Sequence, residues 1–230
     1  MTASIVLHQW HASPFCRKVG HMLNHKGLAF DVVNYNGLRG MMALRLSKVG
    51  KLPVLDIQGQ RVQDSTRIAR FLDQHYPDKP LYPADPIARA QAELWEDWAD
   101  EVLYFFEGYF RINDPVAMKA FVALICADRP AWERIPMKFT LKFAGNVMLK
   151  GQGLGRMAKD DIQSEFLRHM DRIDTVLAKT GWLVGDTKTI ADIAVSAQLL
   201  EFVRTSPMRG ELLRRKHLAT WLDKLKPFHG

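Results

Sequence analysis

Gln9-Trp10-His11-Ala12-Ser13-Pro14-Phe15-Cys16-Arg17-Lys18-Val19 is the stretch on which the fold turns. A short apolar run, Ile5 to Leu7, precedes it and reads as a β-strand, and Val19, Met22 and Leu23 follow at helical spacing. Strand, turn and helix start therefore meet within these residues. Ser13 is a favoured N-cap and Pro14 a favoured first helical residue, so the pair predicts the start of the first helix, with Cys16 in its first turn. The free amides of that turn and the helix dipole make it a place where an anion such as a thiolate is stabilised.

Outward from this point, Ala29 to Val33 reads as a second strand after a helix stop at Lys26-Gly27, which gives a βαβ unit. Asn36-Gly37 and Arg39-Gly40 are loop-like, and Met41 to Gly50 reads as a short, irregular helix. Leu52 to Asp56, a turn at Gln58-Gly59-Gln60, and Arg61 to Gln63 form a hairpin. Ser65 is expected to cap a helix whose apolar positions are Ile68, Ala69, Leu72 and Tyr76, ended by Pro77. Tyr76 to Pro86 holds four prolines without apolar periodicity and reads as a linker.

Beyond the linker the pattern is helical. A helix is expected from about Asp85, with Pro86 in its first position, to about Arg111, and its stripe Leu94, Trp98, Val102, Phe105, Tyr109 suits a core or a dimer surface. Arg129-Pro130 and Ile135-Pro136 are read as helix breaks, the basic and apolar residues after them lack clean caps, and Gly151, Gly153 and Gly155 are read as a flexible turn. Helix returns from Asp160 to Ala178, with Ile162, Phe166, Met170, Ile173 and Leu177 on one face. Thr189 with Asp192 three residues on is a variant capping box.

Composition narrows the function classes. The formal charge is +7, and residues 1–80 carry 11 Lys+Arg against 5 Asp+Glu, so +6 of it sits in the first third. Those cations are dispersed and lack interleaved stacking aromatics, which favours a small anionic ligand over nucleic acid. No run of about 18 uncharged apolar residues appears, so no membrane span is expected. The start of the chain lacks the pattern of a secretory signal, and Cys16 and Cys126 cannot build a disulfide scaffold, so a cytoplasmic protein is expected. The pairs His8/His11 and His21/His25 lack the carboxylate or cysteine company of a metal site.

Ser13-Pro14-Phe15-Cys16 after a first strand resembles the thioredoxin-type C-x-x-C site with serine in place of the leading cysteine, the pattern of serine-type cytosolic glutathione transferases. The order β-α-β-α-β-β-α matches the first domain of that family. The resemblance implies an α/β thioredoxin-like, glutathione-binding domain over 1–80 and an all-helical domain over 86–230. It implies a cis bond at Leu52-Pro53 within Lys51 to Leu55, with the Leu52 backbone pairing to the cysteinyl part of glutathione and Lys51 and Pro53 beside it. Asp64 and Ser65 resemble the residues that hold the γ-glutamyl end, with Asp where Glu is more usual. Ser13 would donate a hydrogen bond to the glutathione sulfur, and Cys16 is the second candidate for catalysis. An electrophile pocket between the domains would be lined by Trp10, His11, Phe15, Leu38, Tyr104 and Phe105.

What the resemblance implies as a whole is a homodimeric transferase that uses glutathione as co-substrate, without a metal, and joins its thiolate to a small hydrophobic electrophile. Two alternatives stay open: a glutathione-dependent thiol-disulfide oxidoreductase using Cys16, and a binding or scaffold protein without turnover.

Overall fold

Ser13 caps a helix in the computed structural model, which describes residues 5–225; the outermost parts of the expected domains, residues 1–4 and 226–230, lie outside the described residues. The cap has extended backbone and its side chain accepts from the Cys16 amide, and Pro14 opens α1 (Pro14–Lys26). Gly27 closes α1 in the left-handed conformation, at φ 72°. Before α1 runs β1 (Val6–Gln9), and after it come β2 (Asp31–Asn34), a 3₁₀ turn over Gly37–Met42 and α2 (Ala43–Leu46). The hairpin β3 (Val54–Ile57) and β4 (Gln60–Gln63) then leads into α3 (Ser65–His75).

The four strands form one mixed sheet in the order β2-β1-β3-β4, with β1 and β2 parallel and the other pairs antiparallel. Register decides where the loops emerge. His8 pairs with Val54, Val54 pairs with Gln63, and Gln9 pairs with Asn34. The exits of β1, β2 and β4 and the entry to β3 therefore lie together at one end of the sheet.

Residues 76–85 carry no helix or strand, and the rest of the described chain is helical. Asp85 caps α4 (Pro86–Trp98) by accepting from the Ala88 amide, with Pro86 first in the helix. A single wide π turn over Ala99–Leu103 joins α4 to α5 (Tyr104–Asn113) without a break. The stripe expected to be core or dimer surface proves half-buried, and Leu94 is exposed; Ala92, Ala99, Leu103, Phe106 and Phe110 form the core side instead.

Asp114 then caps α6 (Pro115–Ile125), and after a 3₁₀ turn over Ala131–Glu133 comes α7 (Arg134–Gln152). The expected break at Ile135-Pro136 is not there. Pro136 is the third residue of α7, where its missing N–H costs no intrahelical bond, so the helix runs on for 19 residues to Gly153 at φ 117°. Gly151 to Gly155 is a helix end followed by a 3₁₀ turn, Leu154–Arg156. The last helices are α8 (Lys159–Thr180), α9 (Ile190–Thr205), α10 (Arg209–Leu213) and α11 (Lys216–Leu225). The five apolar residues expected on one face of α8 are all buried.

α9 is the central post. Every residue from Ile190 to Phe202 is buried, as in a helix surrounded by protein, and α1 and α4 both pack against it. Its capping box is formed, and the buried Asp192 also accepts from the Leu183 amide at 3.0 Å and the Trp221 indole at 2.9 Å. Replacing Asp192 by Ala strands these donors and that of Thr189. A loss of at least about 3 kcal/mol is expected, at 1 to 3 for each unsatisfied buried group. Urea unfolding of Asp192→Ala against the parent chain measures it.

Candidate active site

The end of the sheet where the loops gather carries the residues picked out in the sequence. Ser13 stands at the mouth of α1, and its amide donates to the Trp10 carbonyl at 2.9 Å. Its oxygen accepts from the Cys16 amide at 3.4 Å. At the neighbouring entry to β3, Leu52-Pro53 is a cis peptide bond, with Pro53 buried, Leu52 half-buried and Lys51 exposed.

At the third loop the expected cap is one residue off. Asp64, not Ser65, caps α3: its Oδ1 accepts from the amides of Thr66 at 3.1 Å and Arg67 at 3.0 Å. Ser65 is the first helical residue and is buried. Asp64 holds φ 76°, in the left-handed region that side chains avoid, a conformation that costs about 1 to 3 kcal/mol and concentrates at binding sites. A carboxylate therefore sits beside the amide-rich start of α3, facing solvent.

Cys16 does not open on this end. The residue is 1% exposed, and its thiol accepts from the Trp10 amide at 3.4 Å. Burial pushes its pKa up to about 11, against the lowering from Ser13 and Trp10. A buried neutral thiol is a poor nucleophile, so the second candidate for catalysis is a core residue.

Of the residues expected to line an electrophile pocket, Phe15 and Tyr104 meet with ring centroids 5.0 Å apart, and Phe105 lies edge-on to Tyr104. Trp10 is half-buried under the turn at Gly40, and its indole nitrogen is buried with no partner among the described residues. Leu38 is placed by its amide, which donates to Glu133 at 2.9 Å. Gly37 permits this approach: at φ 57°, a Cβ there would meet a Glu133 oxygen at 2.0 Å. His11 is fixed by Arg204, whose guanidinium lies 2.6 Å from Nε2. Arginine can only donate, so Nε2 accepts and the ring is neutral; burial and Arg204 both lower its pKa.

Two buried polar clusters hold these loops, and neither carries a signal in the sequence because their members lie far apart in the chain. In the first, the fully buried Glu201 of α9 pairs with Arg17 of α1 at 2.6 Å, Arg204 at 3.0 Å and Arg111 of α5 at 3.4 Å. Arg111 also pairs with Glu107 and donates to the Ala12 carbonyl at 2.9 Å, one residue before Ser13. In the second, the buried Lys18 of α1 pairs with Glu96 and Asp100, each at 2.7 Å. Thr66 of α3 and Tyr82 donate to Glu96 at 2.9 and 2.8 Å. No group of three or more potential metal ligands occurs among the described residues.

A four-stranded mixed sheet with a helix-capping serine, a cis-proline strand entry and an acid-capped third helix, followed by a helical half, defines a thioredoxin-like domain joined to an all-α domain. A family model described as the N-terminal domain of glutathione S-transferases matches residues 7–80, and one for the C-terminal domain of the same family matches residues 156–224. The chain belongs to the glutathione S-transferase family. Glutathione S-transferase U7 of Arabidopsis thaliana is 32% identical over 43% of this chain and 44% of its own length. The chain thus spans less than half of that relative. LigF of a Sphingobium strain is 27% identical over 79% of this chain and 72% of its own. The crystal structure of the beta-etherase LigF from that Sphingobium strain superposes with a TM-score of 0.69, covering 98% of this chain and 96% of that one at 20% identity, which shows the fold.

The burial of Cys16 gives a direct check. Iodoacetamide at pH 8 should leave Cys16 unlabelled in the folded chain for hours and modify it within minutes in denaturant, as peptide mass spectrometry would record. Rapid labelling of the folded chain would place the thiol at the surface.

Proposed function

We propose that the chain binds glutathione at this end of the sheet and joins its thiolate to a small hydrophobic electrophile, with Ser13 holding the sulfur. The observation that carries the reading is the place of Ser13: its hydroxyl caps the mouth of α1, at the end of the sheet where the cis Leu52-Pro53 bond and the Asp64 cap also lie. A hydrogen bond to a charged group is worth roughly 1.5 to 3 kcal/mol, or about one to two units of thiol pKa at 1.36 kcal/mol each. That raises the thiolate fraction at neutral pH by about ten- to a hundredfold. The thiol proton leaves to solvent, a C–S bond forms, and the electrons go to the leaving group or to an atom that is then protonated.

The remaining residues divide the ligand among them. The Leu52 backbone pairs with the cysteinyl part, beside Lys51 and Pro53. Asp64 keeps one carboxylate oxygen on the α3 amides and turns the other to the ligand ammonium, while Ser65 offers its hydroxyl and amide to the γ-glutamyl carboxylate. Trp10, His11, Phe15, Leu38, Tyr104 and Phe105 receive the electrophile. In this reading residues 1–80 bind glutathione and the helical part from 86 onward supplies the other wall. Two free, buried cysteines suit a reducing cytoplasm.

The buried Cys16 weakens the thiol-disulfide alternative. A second substrate class, ethers, is favoured by the likeness to LigF, which extends over 79% of this chain. The thiolate would attack the ether carbon, a C–S bond would form as the C–O bond breaks, and the departing oxygen would take a proton from water. Rates with aryl ethers, halogenated aromatics and epoxides, compared side by side, separate the two classes.

Ser13→Ala should lower kcat/KM about ten- to a hundredfold and raise the pKa of bound glutathione with little change in its affinity, whereas Ser65→Ala should weaken the affinity about tenfold or more. Thiolate absorbance against pH and calorimetric titration measure the two effects, and unchanged values in both variants would place the site elsewhere.

A two-fold homodimer completes the proposal. The exposed Leu94, with Trp95 and Trp98 of α4 and His169 and Ile173 of α8, lines an apolar recess of about 350 Å³ that a partner can cover. Light scattering at micromolar concentration should give twice the chain mass, and the mass of one chain would exclude the dimer.

A further inference from the structure

The most exposed large apolar side chain among the described residues is Phe143, and it belongs to a stripe along α7. Ile135, Phe139, Phe143 and Val147 recur every four residues along it, at 66, 71, 75 and 59% exposure. At 1.5 Å per residue the stripe is about 18 Å long. Trp132, just before α7, is exposed as well.

The stripe faces outward because the other side of the helix is fixed. Met137 and Leu149 are buried, and α7 packs on α5 and α6. At Gly145 the approach is close enough that a Cβ would meet Ile112 of α5 at 2.9 Å. The helix cannot roll to hide its phenylalanines without losing that seat.

Charge says what covers it. From Arg134 to Lys159 the chain carries six cations, Arg134, Lys138, Lys142, Lys150, Arg156 and Lys159, and no acid. Lys138 and Lys142 are exposed and border the stripe on one side. Elsewhere beyond residue 80 the chain carries 15 Lys+Arg against 20 Asp+Glu, so this run is a basic island in an acidic half. Residues 37–51, the adjoining segment whose Leu38 amide is held by Glu133, repeat the pattern: Arg39, Arg45, Lys48 and Lys51 without an acid, and exposed Met41, Leu44 and Val49. A second copy of the chain would bring the same cations against these. Exposed phenylalanines set among uncompensated cations match the chemistry of an anionic bilayer surface, apolar below and negative at the headgroups.

We propose that α7 docks the chain on anionic membranes, lying in the plane of the interface with Phe139 and Phe143 among the acyl chains and Lys138 and Lys142 at the phosphates. None of the described helices is long and apolar enough to cross a bilayer, so the attachment is peripheral. It is independent of the glutathione reading, since no residue of α7 belongs to that site.

The experiment is co-sedimentation of the full chain with vesicles of phosphatidylcholine alone or mixed with phosphatidylglycerol, at low and high salt. The chain should pellet with the mixed vesicles at low salt and be released by high salt. Phe139→Ser with Phe143→Ser should weaken partitioning at least about tenfold, and Lys138→Gln or Lys142→Gln about fivefold each. Both sets replace exposed side chains, and an unchanged thermal melt would establish that the fold is kept. No partitioning at low salt would overturn the proposal, as would partitioning that the double Phe variant leaves intact. So would light scattering in which that variant turns a dimer into a monomer, which would make the stripe a contact between copies of the chain.

Discussion

One buried carboxylate organises the site end of the molecule. Glu201 is sealed within α9, where an isolated charge would be prohibitive, and it is tolerated only because Arg17, Arg111 and Arg204 converge on it. The three arginines hold its pKa down against the push of burial. Each arginine arrives on a different errand: Arg17 ties α1 to α9, Arg111 grips the Ala12 carbonyl, and Arg204 sets the tautomer of His11. The loop that presents Ser13 is thus held by the helical half of the chain as much as by its own sheet.

The Lys18 cluster does the same for the other side of the site. Burial raises the Asp100 carboxyl to about 6 in spite of Lys18, and the same lysine reaches Glu96, which takes the Thr66 hydroxyl two residues beyond Asp64. The start of α3 is thereby referenced to α4. The loops that carry Ser13 and Asp64 belong to the sheet, but they are braced by residues of the helical part, so a change at Glu96 or Arg111 would be felt at Asp64 or Ser13 without touching a ligand.

Local chemistry was legible in the sequence where it is decided locally. Ser13-Pro14, Asp85-Pro86 and Thr189 with Asp192 each announce a helix start within four residues, because capping is a contest between neighbouring donors and acceptors. The cap of α3 is ambiguous in the sequence because Asp64 and Ser65 are both good caps, and only the turn out of β4 chooses between them. The sequence of α7 suggests a break at Pro136 because a proline near a helix start and one inside a helix look alike until the start is known. The burial of Cys16 and the two ionic clusters were invisible, since Glu201 lies 184 residues from Arg17 and no spacing rule spans that distance.

The π turn between α4 and α5 bears on how this molecule tolerates changes of length. A π turn fits one more residue into a helix than an α turn does, so Ala99–Leu103 behaves as an insertion already absorbed. Removing one residue there would return the segment to plain α-helix and leave the faces of α4 and α5 where they are. Removing one anywhere else between Ala92 and Arg111 would turn the downstream part by about 100° and swing Arg111 away from Glu201. The longest continuous rod in the helical half therefore has one place at which its length is free to drift, and it lies at Asp100, directly over Lys18.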